Sequence, residues 1–302
     1  MSLSGKIIVT IAPTGGLRTK RDNPHIPTQP GEIADDVERC YNAGASMTAL
    51  HARLANDEAT CDAEIYRDIN ARVRARCPII INNSTGGGMN GDMVRPLTDG
   101  LWEVIWAQRL RALDGGAEMA TLNAMTVVAC LQGRETLFST TPARCREMAA
   151  AMKERGIKPE WEAFSTEHLL QDMRVLIDEG VDAAPHFINL ALGFDQIFQG
   201  AMPWSPRALL DMVAVLPPKV VMSVSGAGPA QLPAVTQMLL LGGHVRVGLE
   251  DNLFYAPGEP ATNVQLVDRA VRLVRELGFE PATPEEARDI IGLKQLSAGV
   301  AA

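Results

Sequence analysis

Short apolar runs rich in β-branched residues recur along this chain, and most are followed by a stretch whose apolar positions repeat at helical spacing. The first run, Lys6 to Pro13, is stopped by Pro13-Thr-Gly-Gly16, and after a Pro- and Asn-rich loop a helix over 31–43 carries Ile33, Val37 and Tyr41 on one stripe. Ser46 to Arg53 reads as a second strand, 62–76 as a helix, and Ile79 to Thr85 as a third strand ending in Gly86-Gly-Gly88. A segment around Trp102 and Trp106 has no readable period, and the fourth strand is placed at 119–128. The fifth, 159–164, leads into a helix capped near Ser165 or Thr166, with Glu167 and His168 in its first turn. The sixth (186–192), seventh (220–224, ending in Ser225-Gly-Ala-Gly228) and eighth (244–249) follow, then a long helix over 263–277 and a capped tail helix beginning at Thr283.

Eight strands alternating with helices predict the α/β class and a (β/α)8 TIM barrel, as a single domain over 1–302 with a C-terminal helical extension. No Gly/Ser linker divides the chain, and the first strand is not followed by Gly-x-Gly-x-x-Gly, which leaves a doubly wound dinucleotide fold without support. Alternation sharpens the picture in the eighth strand. Val245, Val247 and Leu249 fall on one face, while His244, Arg246, Gly248 and Glu250 fall on the other, with Asp251 next. An inner face ending in charges is what a barrel strand needs where it reaches an active-site mouth, although Arg246 and Glu250 could also form a purely structural ion pair.

Composition narrows the function classes. A net charge of −8 over 302 residues, with scattered arginines, argues against a nucleic-acid or anionic-membrane surface. No apolar stretch reaches the ~20 residues of a membrane span, and Met1-Ser-Leu-Ser-Gly-Lys6 has no signal-peptide pattern. Five cysteines without CxxC spacing read as reduced thiols, so a cytoplasmic place is expected.

The polar residues expected at the strand C-termini are Thr14 (first strand), His51 and Arg53 (second), Asn82, Ser84 and Thr85 (third), Thr121 or Asn123 (fourth), Asn189 (sixth), Ser223 and Ser225 (seventh), and Arg246, Glu250 and Asp251 (eighth). They contain no defensible Ser-His-Asp set and no strand-end lysine for a Schiff base. Ser84-Thr85-Gly-Gly-Gly88 could cradle an anion through backbone N–H groups. Arg53 or Arg246 could grip a carboxylate in bidentate fashion, and Asp251 could act as a base. His244, at its strand's start, should point to the bottom of the barrel.

Thr10-Ile-Ala-Pro-Thr-Gly15, Asn23-Pro-His-Ile-Pro27, Ser84-Thr-Gly-Gly87, Val245-Arg-Val-Gly-Leu-Glu-Asp251 and Ala282-Thr-Pro-Glu-Glu-Ala-Arg288 together resemble the β-keto acid cleavage enzymes, from about residue 5 to about residue 293. The resemblance implies a (β/α)8 barrel, commonly a homotetramer. It also implies condensation of a β-keto acid with acetyl-CoA, giving acetoacetate and a new CoA ester. In that family a divalent metal, usually zinc, is held by the two histidines of a His-x-His-x-Arg stretch and by a glutamate. Carried over, Arg246 and Asp251 are catalytic, Glu250 and His51 bind the metal, and Ser84 contacts substrate. Thr14, Arg53 and Asn123 complete the expected substrate site.

This sequence departs from the pattern twice. The metal stretch reads Ala49-Leu-His51-Ala-Arg53, so the first histidine is alanine. A glutamate that usually follows the Pro-Thr-Gly segment and binds the substrate's polar end is Leu17, which suggests a less cationic or more apolar substrate. Beside this leading reading stand a barrel aldolase or lyase with a different reaction, and a non-catalytic ligand-binding descendant.

Overall fold

In the computed structural model, which describes residues 5–131 and 133–296, the apolar runs become eight parallel strands that close on themselves. They are β1 (Val9–Ile11), β2 (Met47–Leu50), β3 (Ile80–Asn83), β4 (Met119–Leu122), β5 (Lys158–Ala163), β6 (His186–Leu192), β7 (Val220–Gly226) and β8 (His244–Val247). Each strand pairs with its sequence neighbour, and β8 closes the ring on β1 with Val245 opposite Val9, Arg246 opposite Thr10 and Val247 opposite Ile11. Residues 1–4 and 297–302, the ends of the expected domain, lie outside the described residues.

Outward-facing residues of β1, β2, β3 and β8 pack on helices α1 (Pro30–Asn42), α2 (Ala63–Arg74) and α8 (Asn263–Glu276), joining Ile11, Leu50, Ile81 and Val247 to Ile33, Ile69 and Val271. A second core joins the outer faces of β4 to β7 to α4 (Pro142–Glu154), α6 (Pro206–Ala214) and α7 (Gln231–Leu240). The helices start where the sequence supplies caps: Asp62 accepts from Glu64 N–H and Ile65 N–H, and Thr262 and Gln265 form a capping box. The tail helix α9 (Pro284–Ile291) plugs the barrel's lower end, where Ala287 and Ile291 meet Ile8, Met47, Ile80 and Phe187. Arg288 anchors it through Glu118 (2.7 Å) and the carbonyl of Pro78 (2.9 Å).

Two expectations need correction. The second strand ends at Leu50, not at Arg53; Ala52–Arg53 pairs antiparallel with Ala59–Thr60 in a hairpin outside the barrel, so Arg53 is not at a barrel-strand end. The fourth strand ends at Leu122, and the segment without readable period is a four-stranded sheet: Val94–Thr98, Leu101–Val104, Arg134–Phe138 and Val127–Leu131, in that spatial order. A helix after β5 forms as expected, but it starts as a π-helical stretch, His168–Met173, before the short Arg174–Asp178.

His244 does lie at the bottom, where its Nδ1 accepts the N–H of Ile8 at 3.0 Å and burial pushes it down to about 4. Unfolded, the same imidazole titrates near 6.5, so between those values the unfolded chain binds the proton more readily. Its contribution is complete above pH 6.5 and is lost as pH falls toward 4. Urea unfolding of the wild type should therefore lose about 3 kcal/mol more than H244N between pH 7 and 4. Equal losses in both proteins would show that His244 does not titrate in that window.

Candidate active site

Arg246 projects from β8 into the barrel, where it is buried. Its guanidinium donates to both carboxylate oxygens of Asp251 (2.9 and 3.0 Å), to Glu250 (2.6 Å) and to Glu162 (3.1 Å). One cation thus holds three carboxylates through four hydrogen bonds, one of the three in bidentate fashion, which its five N–H groups permit. Glu250 and Asp251 reach Arg246 because β8 stops at Val247 and the chain turns at Gly248, whose φ of +145° and whose approach to Ala12 (an added Cβ would stand 2.1 Å from its carbonyl oxygen) admit only glycine. Asp251 N–H and Asn252 N–H then bond back to Gly248 O, while Glu250 N–H bonds to Ala12 O across the seam with β1.

The electrostatics separate the two acids. Burial pushes Asp251 up, against the pull of Arg246, to about 6. Burial acts the same way on Glu250, but there Arg246 and His51 outweigh it and bring it down to about 2. Asp251 therefore combines an ionised form at neutral pH with appreciable basicity, while Glu250 stays a fixed anion. His51 stands just past the end of β2 with Nε2 3.4 Å from Glu250 Oε1, and its Nδ1 lies 2.8 Å from the carbonyl of Gly87. A carbonyl only accepts, so Nδ1 carries a proton, and Nε2 is the ring nitrogen that faces Glu250.

Ser84, Asn123, His51, Arg246, Glu250 and Asp251 line one cavity at the C-terminal ends of the strands. The Ser84 hydroxyl accepts the N–H of Gly86 (3.1 Å), which leaves its own proton for a ligand, and Asn123 donates to Glu162 at 2.6 Å. Ala49 also lines the cavity, on the inner face of β2. Thr14 and Arg53 do not. Thr14 is fully buried, with its hydroxyl donated to Pro27 O, and Arg53 spends its guanidinium on the carbonyls of Asp57 (2.9 Å) and Arg18 (2.7 Å). Both hold the loop after β1 in place; neither is positioned to touch a substrate in the cavity.

Two site residues escaped the sequence reading. Glu162 lines the cavity and bridges Arg246 and Asn123. Glu160, one layer deeper, accepts from Asn82 and from Thr121 (3.4 Å), and burial followed by repulsion from Glu162 pushes it up to about 8, so it keeps its proton at neutral pH. The available signal was a pair of glutamates at i and i+2 within a barrel strand, alternating with Trp161 and Ala163. The cavity's opposite side is apolar, walled by Phe138, Phe164, Phe194 and Phe198 with Met125 and Val127. The arrangement offers a base, a fixed guanidinium, a free hydroxyl and an imidazole beside an apolar chamber.

Residues 6–293 match the model of one family, beta-keto acid cleavage enzyme. The chain is 36% identical over 293 residues to a 3-keto-5-aminohexanoate cleavage enzyme of Fusobacterium nucleatum subsp. nucleatum, a match covering 96% of this chain and 99% of that protein. It is 31% identical over 308 residues to a 3-dehydrocarnitine:acetyl-CoA trimethylamine transferase of Rhizobium meliloti, covering 95% and 97% of the two. The apo structure of ObcA superimposes with a TM-score of 0.70 over 89% of this chain at 20% identity, a likeness of fold alone; the chain spans 66% of that longer protein.

Proposed function

The chain belongs to the beta-keto acid cleavage enzyme family, and we propose that it cleaves a β-keto acid by condensation with acetyl-CoA, releasing acetoacetate and a new CoA ester at the Arg246 cluster. The exchange is R–CO–CH2–COO⁻ plus CH3–CO–S–CoA giving R–CO–S–CoA plus CH3–CO–CH2–COO⁻, with no net proton change. It requires removal of a proton from the carbon between the two carbonyl groups. The resulting carbanion attacks the acetyl carbon and expels the thiolate. The thiolate then adds to the ketone of the original acid, and the bond between that carbon and its neighbour breaks to release acetoacetate.

The observation that carries this reading is Asp251 clamped through both carboxylate oxygens by the Nε–Nη2 edge of Arg246 at the cavity wall. Asp251 takes the proton and returns it to the departing acetoacetate. Arg246 orients that base and sets a buried positive charge beside the enolate that forms, where low dielectric strengthens it. Ser84 donates its hydroxyl proton to a substrate oxygen, and Asn123 and Glu162 hold the guanidinium's far edge. Incubating the protein with acetyl-CoA and a panel of β-keto acids should yield acetoacetate and new CoA esters, detected by mass spectrometry. The reading fails if no acid supports the exchange.

The donor set fits a divalent cation only in part. Nε2 of His51 faces Glu250, and the second oxygen of Glu250 is buried without a hydrogen-bond partner. The carbonyl of Gly87 fixes the tautomer from behind, as outer partners of metal-binding imidazoles do. Catalytic zinc takes three protein ligands, and among the described residues no group of three or more His, Cys, Asp or Glu is placed to hold a metal. We therefore assign His51 and Glu250 as ligands of a weakly held zinc, which when bound would polarise a substrate carbonyl. Ala49→His should raise zinc content measured by elemental analysis of protein purified without chelator. A wild type that already keeps one zinc per chain through dialysis would contradict weak binding.

The same reading includes a cytoplasmic homotetramer. Five free cysteines, four of them buried, are consistent with a reducing compartment, and exposed Leu97, Leu240 and Phe254 with further assembly.

A further inference from the structure

The cavity has two unlike halves, and the topology of the barrel sets them opposite each other. Arg246, Glu250 and Asp251 come from β8 and its turn, and His51 from the end of β2. Phe164 follows β5, Phe194 and Phe198 follow β6, and Met125 and Val127 follow β4. In a ring of eight strands, β4, β5 and β6 stand across from β8, β1 and β2. Phe138, from the sheet that the sequence did not reveal, completes the wall.

The aromatic half is a built surface. Ring centroids lie 5.0 Å apart for Phe164 and Phe198, 5.7 Å for Phe164 and Phe194, and 6.0 Å for Phe138 and Phe198, the spacings of packed aromatic pairs. Four of the chain's seven phenylalanines are gathered here. Among the described residues, Glu162 is the one ionisable lining residue that this side of the ring contributes, and it is already bound to Arg246 and Asn123. Leu17, with Gly16, lines both the cavity and the polar outer cleft beside it, and so sets an apolar side chain where the two adjoin.

Resting on the function proposed above, we infer that the acid's R group is an uncharged, apolar tail of a few carbons, branched or straight, seated against the four phenylalanines while its keto and carboxylate groups face Arg246, Ser84 and His51. The cavity of about 110 Å³ has room for on the order of ten non-hydrogen atoms, at the ~10–15 Å³ that one water needs. 5-Methyl-3-oxohexanoate has ten. An ammonium or carboxylate at the tail would be stripped of water against rings that offer it no hydrogen bond, whereas each buried methylene adds about fourfold in affinity.

The test compares isosteres. 5-Methyl-3-oxohexanoate differs from 3-keto-5-aminohexanoate by a methyl in place of the ammonium, and 6-methyl-3-oxoheptanoate differs from 3-oxoadipate by two methyls in place of the carboxylate oxygens. With acetyl-CoA at saturation, kcat/KM should favour each methyl compound by about 10²-fold. Leu17→Glu should cut the preference over the amine at least tenfold while folding as judged by circular dichroism. Phe198→Ala should raise KM for the methyl acids at least tenfold and leave KM for acetyl-CoA within about twofold.

A wild-type preference below tenfold overturns the inference and leaves the reaction standing. So does a Phe198→Ala enzyme impaired for acetyl-CoA instead, which would give the aromatic wall to the coenzyme's pantetheine arm. No CoA exchange with any of the four acids overturns the reaction itself, and the inference with it.

Discussion

Asp251→Asn should lower kcat by about 10³-fold or more while leaving KM for the keto acid within a fewfold of wild type. The amide keeps the size of the side chain but cannot accept a carbon-bound proton, and positioned acid–base groups typically supply 10²–10⁴ in rate. It also keeps one oxygen for Arg246 where the carboxylate offered two. Some loss of thermal stability is therefore expected, limited because Arg246 retains Glu250 and Glu162. Circular dichroism and the melting temperature separate the two effects. A folded Asp251→Asn enzyme that turns over at near-wild-type rate would remove Asp251 from the chemistry and return the role of base to a residue still to be found.

Arg246→Lys should cost at least 10²-fold in kcat/KM. The guanidinium reaches three carboxylates at 2.6–3.1 Å by donating from Nε and both Nη atoms in one plane. An ammonium donates from one nitrogen on a flexible stem and cannot hold Asp251 by two oxygens while spanning to Glu162. Asp251 would be free to rotate, and Glu162 and Glu250 would be left as buried charges with poorer compensation. The competing view is that Arg246 only neutralises its neighbours and has no part in turnover. That view predicts a lower melting temperature with the rate preserved, so measuring both in one variant decides between them.

Much of the fold was legible because barrel strands are short apolar runs bounded by chain-breaking residues. The sixth strand was read to the residue, His186–Leu192, since Pro185 and Gly193 flank it and all seven of its positions are buried. Arg246 was legible from alternation. Glu250 was placed correctly for an incomplete reason: the strand ends at Val247, and the turn at Gly248 carries the carboxylate to the mouth. The same extrapolation failed for Arg53, where alternation was carried past Leu50 into a hairpin. The sheet at 94–138 was invisible because its order comes from distant pairing. Leu101–Glu103 lies parallel to Glu135–Leu137, and Trp102 is covered by Arg134 at 4.4 Å instead of by an apolar neighbour in sequence. Glu160 is hidden from a sequence reading because it lies in the middle of β5, a layer below the strand ends, and Glu162 because the pair alternates with Trp161 and Ala163 in a short segment with no motif around it.

The seam between β8 and β1 also sets the order in which this protein can be made. The hydrogen bonds from Ala12 N–H to Val247 O and from Glu250 N–H to Ala12 O join segments more than 230 residues apart. A ribosome adding about 5–20 residues per second delivers β8 roughly ten to fifty seconds after β1. Throughout that interval the nascent chain carries an unclosed barrel with a bare strand edge, the kind of edge on which chains aggregate. Residues 246–251 take up their geometry only when that edge is covered. Barrel closure and the gain of activity are therefore one event, and a ribosome-stalled chain that lacks β8 should be dependent on chaperones and inactive.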